Sequence, residues 1–230
     1  MSYFCRSKSQ KYIKMKKTYI IFAAFALALC SCGGNNTNNT NETKTTLFKS
    51  QTTVQDALPK DCDKVCLEQG DLNNDGIQDL VVGATPRTPE SKPVLAIYFG
   101  KEGGNYSLFK EYTNTLPVAE DDFTSLTLKP EITEKGVLRF DIEYLHTAGV
   151  APIDNKSFFF RFQDNDFYLI GEEWQSRDRI TGEVEEVSCN YLTKKQQTIN
   201  SSIDEEVEPT ETWTDLPDKP LEKLGDKMLE

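Results

Sequence analysis

The chain has 230 residues, with 26 basic and 37 acidic side chains, a single histidine and a net charge of −11. Residues 1–31 hold six of the basic residues and none of the acids, so the remainder carries 20 against 37, a net charge of −17. That balance argues against nucleic acid and anionic lipid headgroups as direct partners, because both require a positive face. It leaves divalent cations, basic proteins and neutral glycans.

The N-terminal segment is a targeting element rather than part of the fold. Residues 1–17 contain Arg6, Lys8, Lys11, Lys14, Lys16 and Lys17 and no acid, and residues 18–29 (TYIIFAAFALAL) are almost wholly apolar. A run of that length makes the core of a signal peptide and is short for a bilayer span. Met15-Lys16-Lys17 would itself make a normal start to such a signal. The segment ends in Leu29-Cys30-Ser31-Cys32-Gly33-Gly34. A small residue before a cysteine, with an aliphatic residue three places upstream, resembles a bacterial lipobox. Cys32 fits as the lipidated residue, whereas Leu29 is too bulky to precede cleavage at Cys30. The alternative is an ordinary secretory signal with a chance cysteine. On the lipobox reading, residues 1–31 are removed and several acyl chains on Cys32 anchor the protein to a membrane it does not span. Gly33 after Cys32, in place of an acid, resembles the pattern of lipoproteins sent on to the outer membrane of a Gram-negative envelope; whether the protein faces the periplasm or the surface stays open. Residues 32–46 contain no apolar periodicity and read as a flexible tether.

The globular part begins near Leu47 and, at under about 200 residues, suffices for one domain with a real core. In chain order, strands are predicted over residues 65–70, 77–83, 94–99, 106–113, 123–128, 137–144, 157–163, 167–174, 183–191 and 196–199. Leu138, Phe140, Ile142 and Tyr144 alternate with Arg139, Asp141 and Glu143, the pattern of a strand with one wet side. Asp164-Asn165-Asp166 between two aromatic runs is a strong hairpin signal. No ten-residue stretch before position 215 shows a helical stripe. The expected class is all-β: a single, mostly antiparallel, sheet-rich domain over 47–202, a blade-like meander and not a closed propeller. Residues 203–230 read as an acidic, proline-rich tail, pinned by Trp213 and Leu216 and ending in one short helix over 220–229.

Three cysteines fall in the folded part: Cys62, Cys66 and Cys189. Export would place them in an oxidising compartment, where one disulfide and one free thiol is the simplest arithmetic; the pairing is open. A zinc site lacks a fourth ligand at a sensible spacing.

The sharpest motif is GDLNNDGIQDLVVGA, residues 70–84. Asp71, Asn73 and Asp75 offer side-chain oxygens at positions 1, 3 and 5, Ile77 a backbone carbonyl at 7, and Asp79 an acid at 9. Calcium accepts six to eight oxygens in loose geometry, and Gly76 permits the sharp turn. Three carboxylates this close repel one another without a cation. An EF-hand would need a glutamate at position 12 and a following helix; here position 12 is Val82 and a strand follows. The segment resembles the calcium loop of FG-GAP repeats (also called VCBS or integrin-like repeats), in which such a loop joins two strands of a propeller blade. The order of the loop, VLAIYFGKEGGNYSLFKEY, KGVLRFDIEY, FFFRFQDNDFYLIGEE and VSCNYLT is similar to that of small exported bacterial lipoproteins carrying one such loop, a largely uncharacterised group. The resemblance implies a calcium-clipped β domain in the cell envelope and no particular reaction. Lys194-Lys195 departs from it, where a glycine-lysine turn is expected. The calcium is expected to be structural, with a functional or regulatory ion and an empty polar turn as alternatives.

Catalytic signals are weak. Any nucleophilic mechanism needing histidine must use His146, and Cys189 with His146 is the one pair to name. There is no G-x-S-x-G elbow, no H-E-x-x-H, no Walker loop and no G-x-G-x-x-G. Paired carboxylates for glycan hydrolysis are too abundant to be a signal. Trp174, beside Glu172, Glu173 and Gln175, is the best candidate for an exposed aromatic platform holding a glycan or protein ligand. The expected function is therefore a non-catalytic binding or envelope-accessory lipoprotein. The alternatives are an immunity or inhibitor lipoprotein against a basic exported toxin or enzyme, and a glycan hydrolase.

Overall fold

The computed structural model describes residues 46–119, 124–146, 153–204 and 206–230. The leader, Cys32, nearly all of the tether, Phe123 and the loop directly after His146 lie outside the described residues. Twelve strands occur among those described: β1 (Gln51–Thr52), β2 (Cys62–Gly70), β3 (Asp79–Pro86), β4 (Val94–Lys101), β5 (Asn105–Thr113), β6 (Thr124–Ile132), β7 (Val137–His146), β8 (Ile153–Gln163), β9 (Asp166–Arg177), β10 (Glu183–Asn190), β11 (Lys195–Ser202) and β12 (Thr210–Asp215). They form two antiparallel meanders, a sheet of order β1-β5-β4-β3-β2 and a sheet of order β12-β11-β10-β9-β8-β7-β6. The all-β, antiparallel expectation holds, and neither sheet is a closed propeller. The strands divide into two sheets between β5 and β6.

Local chemistry explains the hairpins. Asp164 and Asn165 form the two-residue β8–β9 turn with φ of 48° and 59°, as a type I′ turn requires. Gly103 and Gly104 supply φ of 85° and 77° in the β4–β5 loop. Lys194, in the β10–β11 turn, sits at φ 55°, the left-handed region where glycine is least strained.

The main core lies between the sheets. Val81, Leu95, Ile97 and Tyr112 from the five-stranded sheet meet Leu138, Phe140, Ile142, Phe158, Phe160, Phe167 and Leu169 from the other. The opposite face of the five-stranded sheet is also buried: Leu80, Val82, Ala84, Ala96, Tyr98 and Tyr106 pack with Phe48 and Ala57, backed by Leu47, Val54 and Leu58. The N-terminal segment 47–58 therefore caps the second face. Its attachment is polar, with the N–H groups of Leu47 and Phe48 donating to the Glu111 carboxylate at 3.4 and 2.8 Å.

The C-terminal residues depart from expectation. Residues 220–229 form no helix. They pair through an isolated bridge between Tyr168 and Lys223, turn at Leu224 and Gly225, where Asp226 N donates to Lys223 O at 3.0 Å, and insert Leu224 and Leu229 into the main core. Residues 210–215 add the edge strand β12. The presumed tail thus belongs to the compact unit, which extends to Glu230. Two buried leucines supply the pin assigned above to Trp213 and Leu216; Trp213 is instead 55% exposed. The helical reading failed because a short apolar pair can equally serve a non-helical strap when a β core offers it a slot. The thiols also differ from the simple arithmetic. Cys62, Cys66 and Cys189 are all free and buried. Cys62 and Cys66 belong to different cores on opposite faces of their sheet; strict alternation would put residues four apart on one face, and the register irregularity between Lys64 and Cys66 exchanges the faces.

One ion cluster around the buried Asp166 links the parts. Asp166 at the start of β9 accepts from Lys110 Nζ of β5 at 3.2 Å and lies 3.3 Å from Lys223 Nζ of the C-terminal strap. Burial pushes the Asp166 carboxyl up, but the Phe167 N–H and the two lysines outweigh it and hold it below the usual carboxylate range.

Two outcomes follow. Asp166→Asn should lower stability by roughly 1–2 kcal/mol at neutral pH, because both lysines are partly exposed and solvent screens them. A carboxyl with a depressed folded-state pKa contributes fully above the unfolded value near 3.9 and loses that contribution as pH falls through the folded value. The wild-type advantage over the variant, read by urea unfolding, should therefore shrink below about pH 4. Lys194→Gly should raise stability by about 0.5–1 kcal/mol in the same assay, since relief of the left-handed strain exceeds the greater freedom of the unfolded chain.

Candidate metal loop and sheet surfaces

The motif of residues 70–79 is the connection between β2 and β3, closed by the pairing of Gly70 with Asp79. Leu72 is fully buried and anchors the loop in the main core. Asn74 and Gly76 take φ of 60° and 84°, which lets the chain curl back on itself. The curl points backbone N–H groups at side-chain oxygens. Asp71 accepts from Asp75 N at 3.2 Å and from Gly76 N at 2.9 Å. Asn73 Oδ1 accepts from Asp75 N at 3.0 Å, and Asp75 Oδ1 accepts from Ile77 N at 2.8 Å. Asn73 Nδ2 donates to Asp75 Oδ2 at 3.0 Å. Asp71, Asn73, Asp75 and Ile77 thus form one hydrogen-bonded group at the surface.

Asp79 has a different setting. It is fully buried, and its two oxygens accept from Leu72 N at 2.8 Å and Gly100 N at 2.9 Å. Burial raises its pKa above the usual carboxylate range; the two N–H groups pull it back in part, and the neighbouring acids Asp75 and Asp71 add to the rise. Asp79 therefore ties the loop to β4. The strand approaches so closely that a Cβ on Gly100 would lie 2.2 Å from the Gln78 carbonyl oxygen. On the other side the β6–β7 turn abuts the loop, where a Cβ on Gly136 would lie 3.0 Å from the Asp71 carbonyl oxygen.

No cluster of three His, Cys, Asp or Glu side chains suited to a metal occurs among the described residues. Asp79 does not swing out to join Asp71 and Asp75. The donor set nonetheless fits a hard cation: it is all oxygen, no basic residue lies between Gly70 and Asp79, and a carboxylate oxygen that accepts one N–H retains a second lone pair.

The seven-stranded sheet supplies the large surfaces. Cross-strand register aligns Lys129, Asp141, Ser157, Glu173, Ser188, Gln197 and Trp213 in one row across its solvent face. Ser157 Oγ donates to Asp141 at 2.5 Å, and Arg139 Nε donates to the same carboxylate oxygen at 2.7 Å. A shallow groove of about 230 Å³ lies beside this cluster. Trp174 is half-buried and borders a cleft of about 80 Å³ with Lys156, Phe158, Glu172, Glu173 and Glu230. Trp213 is the more exposed indole; its Thr-Trp-Thr setting in an alternating run was the available signal.

The named catalytic pair is not assembled. Cys189 lies on β10 and His146 at the end of β7, three strands apart, a lateral distance of about 14 Å. His146 Nδ1 instead shares a 3.1 Å hydrogen bond with Thr124 Oγ1 across the β6–β7 ladder. Comparison with protein-family models, curated proteins and solved structures returned no match to the chain. The FG-GAP likeness rests on the sequence features that first raised it.

Asp79→Ala should cost roughly 2–4 kcal/mol, because it leaves two buried N–H groups without an acceptor. The loss should be similar in EDTA and in calcium when read by urea unfolding. An equal stability of variant and wild type would remove Asp79 from the junction.

Proposed function

We propose that this chain is an exported, lipid-anchored binding module of the bacterial envelope whose β2–β3 loop is clipped by calcium. The carrying observation is the loop itself. It joins the main core through Leu72, β4 through Asp79 and the β6–β7 turn through Gly136, while its remaining oxygens stay at the surface. Asp71, Asn73, Asp75 and the Ile77 carbonyl would hold the ion, with Asp79 behind them. The calcium would offset the repulsion among the acids and cross-link the loop; it would do no bond chemistry. The affinity suited to such a set is of order 10⁻⁴ to 10⁻³ M. Cys32 supports anchoring by lipid, and the broad polar face of the seven-stranded sheet supports recognition of a glycan or a protein. The Trp174 cleft is the smaller candidate for a sugar. The net charge of −17 after processing favours a basic protein, so inhibition of a basic exported toxin or enzyme is the second reading.

The test is thermal unfolding of the full-length protein in EDTA and in 10 mM calcium. Linkage gives a rise in midpoint of between about 3 and 10 °C at the affinity above. Asp75→Ala should abolish the rise. Asn74→Gly should keep it, and is a better control than Asn74→Ala, which would strain the left-handed position. No rise in wild type would leave the motif as a polar turn.

A further inference from the structure

We infer that the free edge of β12 is an acceptor for a basic, extended polypeptide segment, which adds to the seven-stranded sheet as a further strand. This rests on the binding-module reading and specifies its mode.

An unpaired sheet edge presents a row of backbone donors and acceptors, and folded proteins ordinarily blunt it. Among the described residues there are four edges, and three are protected. The β1 edge is two residues long, and the β5 backbone beyond it is engaged by the N-terminal segment, with Leu108 N donating to Ser50 O at 2.9 Å. β2 carries Asp63, Lys64 and Glu68 and a register irregularity between Lys64 and Cys66. β6 carries Lys129 and Pro130. β12 has neither the proline, the lysine nor the irregularity of these edges, and its two charges, Glu211 and Asp215, are both acidic. Its sequence, Thr-Glu-Thr-Trp-Thr-Asp, contains no proline, lysine or bulge, alternates β-branched residues, and is exposed at all six positions.

The orientation of its edge can be read from the ladder. Leu216 N donates to Lys194 O of the β10–β11 turn at 2.9 Å. Successive N–H groups along a strand point to alternate sides. Thr210, Thr212 and Thr214 therefore face β11, and Glu211, Trp213 and Asp215 present their N–H and C=O groups to the open edge.

Charge selects the occupant. From Glu172 to Asp215 the chain carries twelve acids against four basic residues. Glu211, Trp213 and Asp215 share one face of β12 with Lys195, Gln197 and Ile199; Asp215 is ion-paired with Lys195, whereas Glu211 accepts only from neutral donors, Gln197 Nε2 at 3.0 Å and Trp213 Nε1, and keeps its charge uncompensated by them. The excess of acids on this part of the sheet, with Glu211 beside an exposed indole, favours lysine or arginine on the added strand, through charge and cation–π contact. The same acids disfavour a second copy of this chain.

The test is fluorescence anisotropy of a labelled, end-capped peptide of eight alternating lysine and valine residues, titrated with the full-length protein. Saturable binding is expected, with an alternating glutamate and valine peptide showing none. Trp213→Pro removes an outward N–H but no bond to β11, so it should keep the fold and weaken binding by at least about tenfold. Trp213→Ala keeps that N–H and should weaken it less. Thermal midpoints close to wild type would show that both variants are folded. Equal binding by wild type and Trp213→Pro would overturn strand addition in favour of charge attraction alone. Absence of peptide binding, or a wild-type dimer by sedimentation that Trp213→Pro abolishes, would overturn the basic occupant. In either case a retained calcium shift would leave the clipped-loop reading standing.

Discussion

Leu80, Val81 and Val82 of β3 and Leu95, Ala96, Ile97 and Tyr98 of β4 are all fully buried, so the five-stranded sheet has no face left for water. Most antiparallel sheets wet one face. This one must be covered twice, and the rest of the architecture answers that requirement. The aromatic face of β7, β8 and β9 covers one side, and the segment 47–58 covers the other. A strap from the C-terminus closes the gap with Leu224 and Leu229. Each cover is then fixed by a polar tie: Glu111 to the N-terminal segment, and Asp166 with Lys110 and Lys223 to the strap. These ties locate elements whose apolar contacts alone are non-directional.

The loop of residues 70–79 inherits its rigidity from the same arrangement. It leaves and re-enters the double-covered sheet, so one of its residues, Leu72, can be buried outright. Asp79, set at the first position of β3, is drawn inward where only backbone N–H groups can satisfy it. The remaining polar residues have nowhere to go but outward. This arrangement presents oxygens at the surface while the base of the loop is locked in the core. It also explains why three neighbouring strands and turns approach through glycine or bare backbone at Gly70, Gly100 and Gly136.

The seven-stranded sheet is wider than the sheet that covers it, and β10, β11 and β12 extend away from the main core. The burial pattern records this: β9 begins fully buried and ends exposed, while β12 is exposed throughout. Burial is concentrated where the sheets overlap, and the exposed strand surface lies where they do not. The acids gathered on the extended part lower its tendency to self-associate, which is consistent with an edge kept open for a different partner.

The strand pattern was largely legible in the sequence. Period-two alternation set β7, the aromatic runs around Asp164-Asn165 set β8 and β9, and the glycines of Lys101 to Asn105 set the β4–β5 hairpin. These signals are local, because they depend on the pleat and on turn dihedrals. The motif of residues 70–79 was legible for the same reason. The division into two sheets was not, because antiparallel hairpins look alike whether or not the next strand continues the sheet. Nor were the C-terminal strap, the separate fates of Cys62 and Cys66, the inward turn of Asp79 and the exposure of Trp213. Each depends on which distant surface a residue meets, and that is settled only when the two sheets pack.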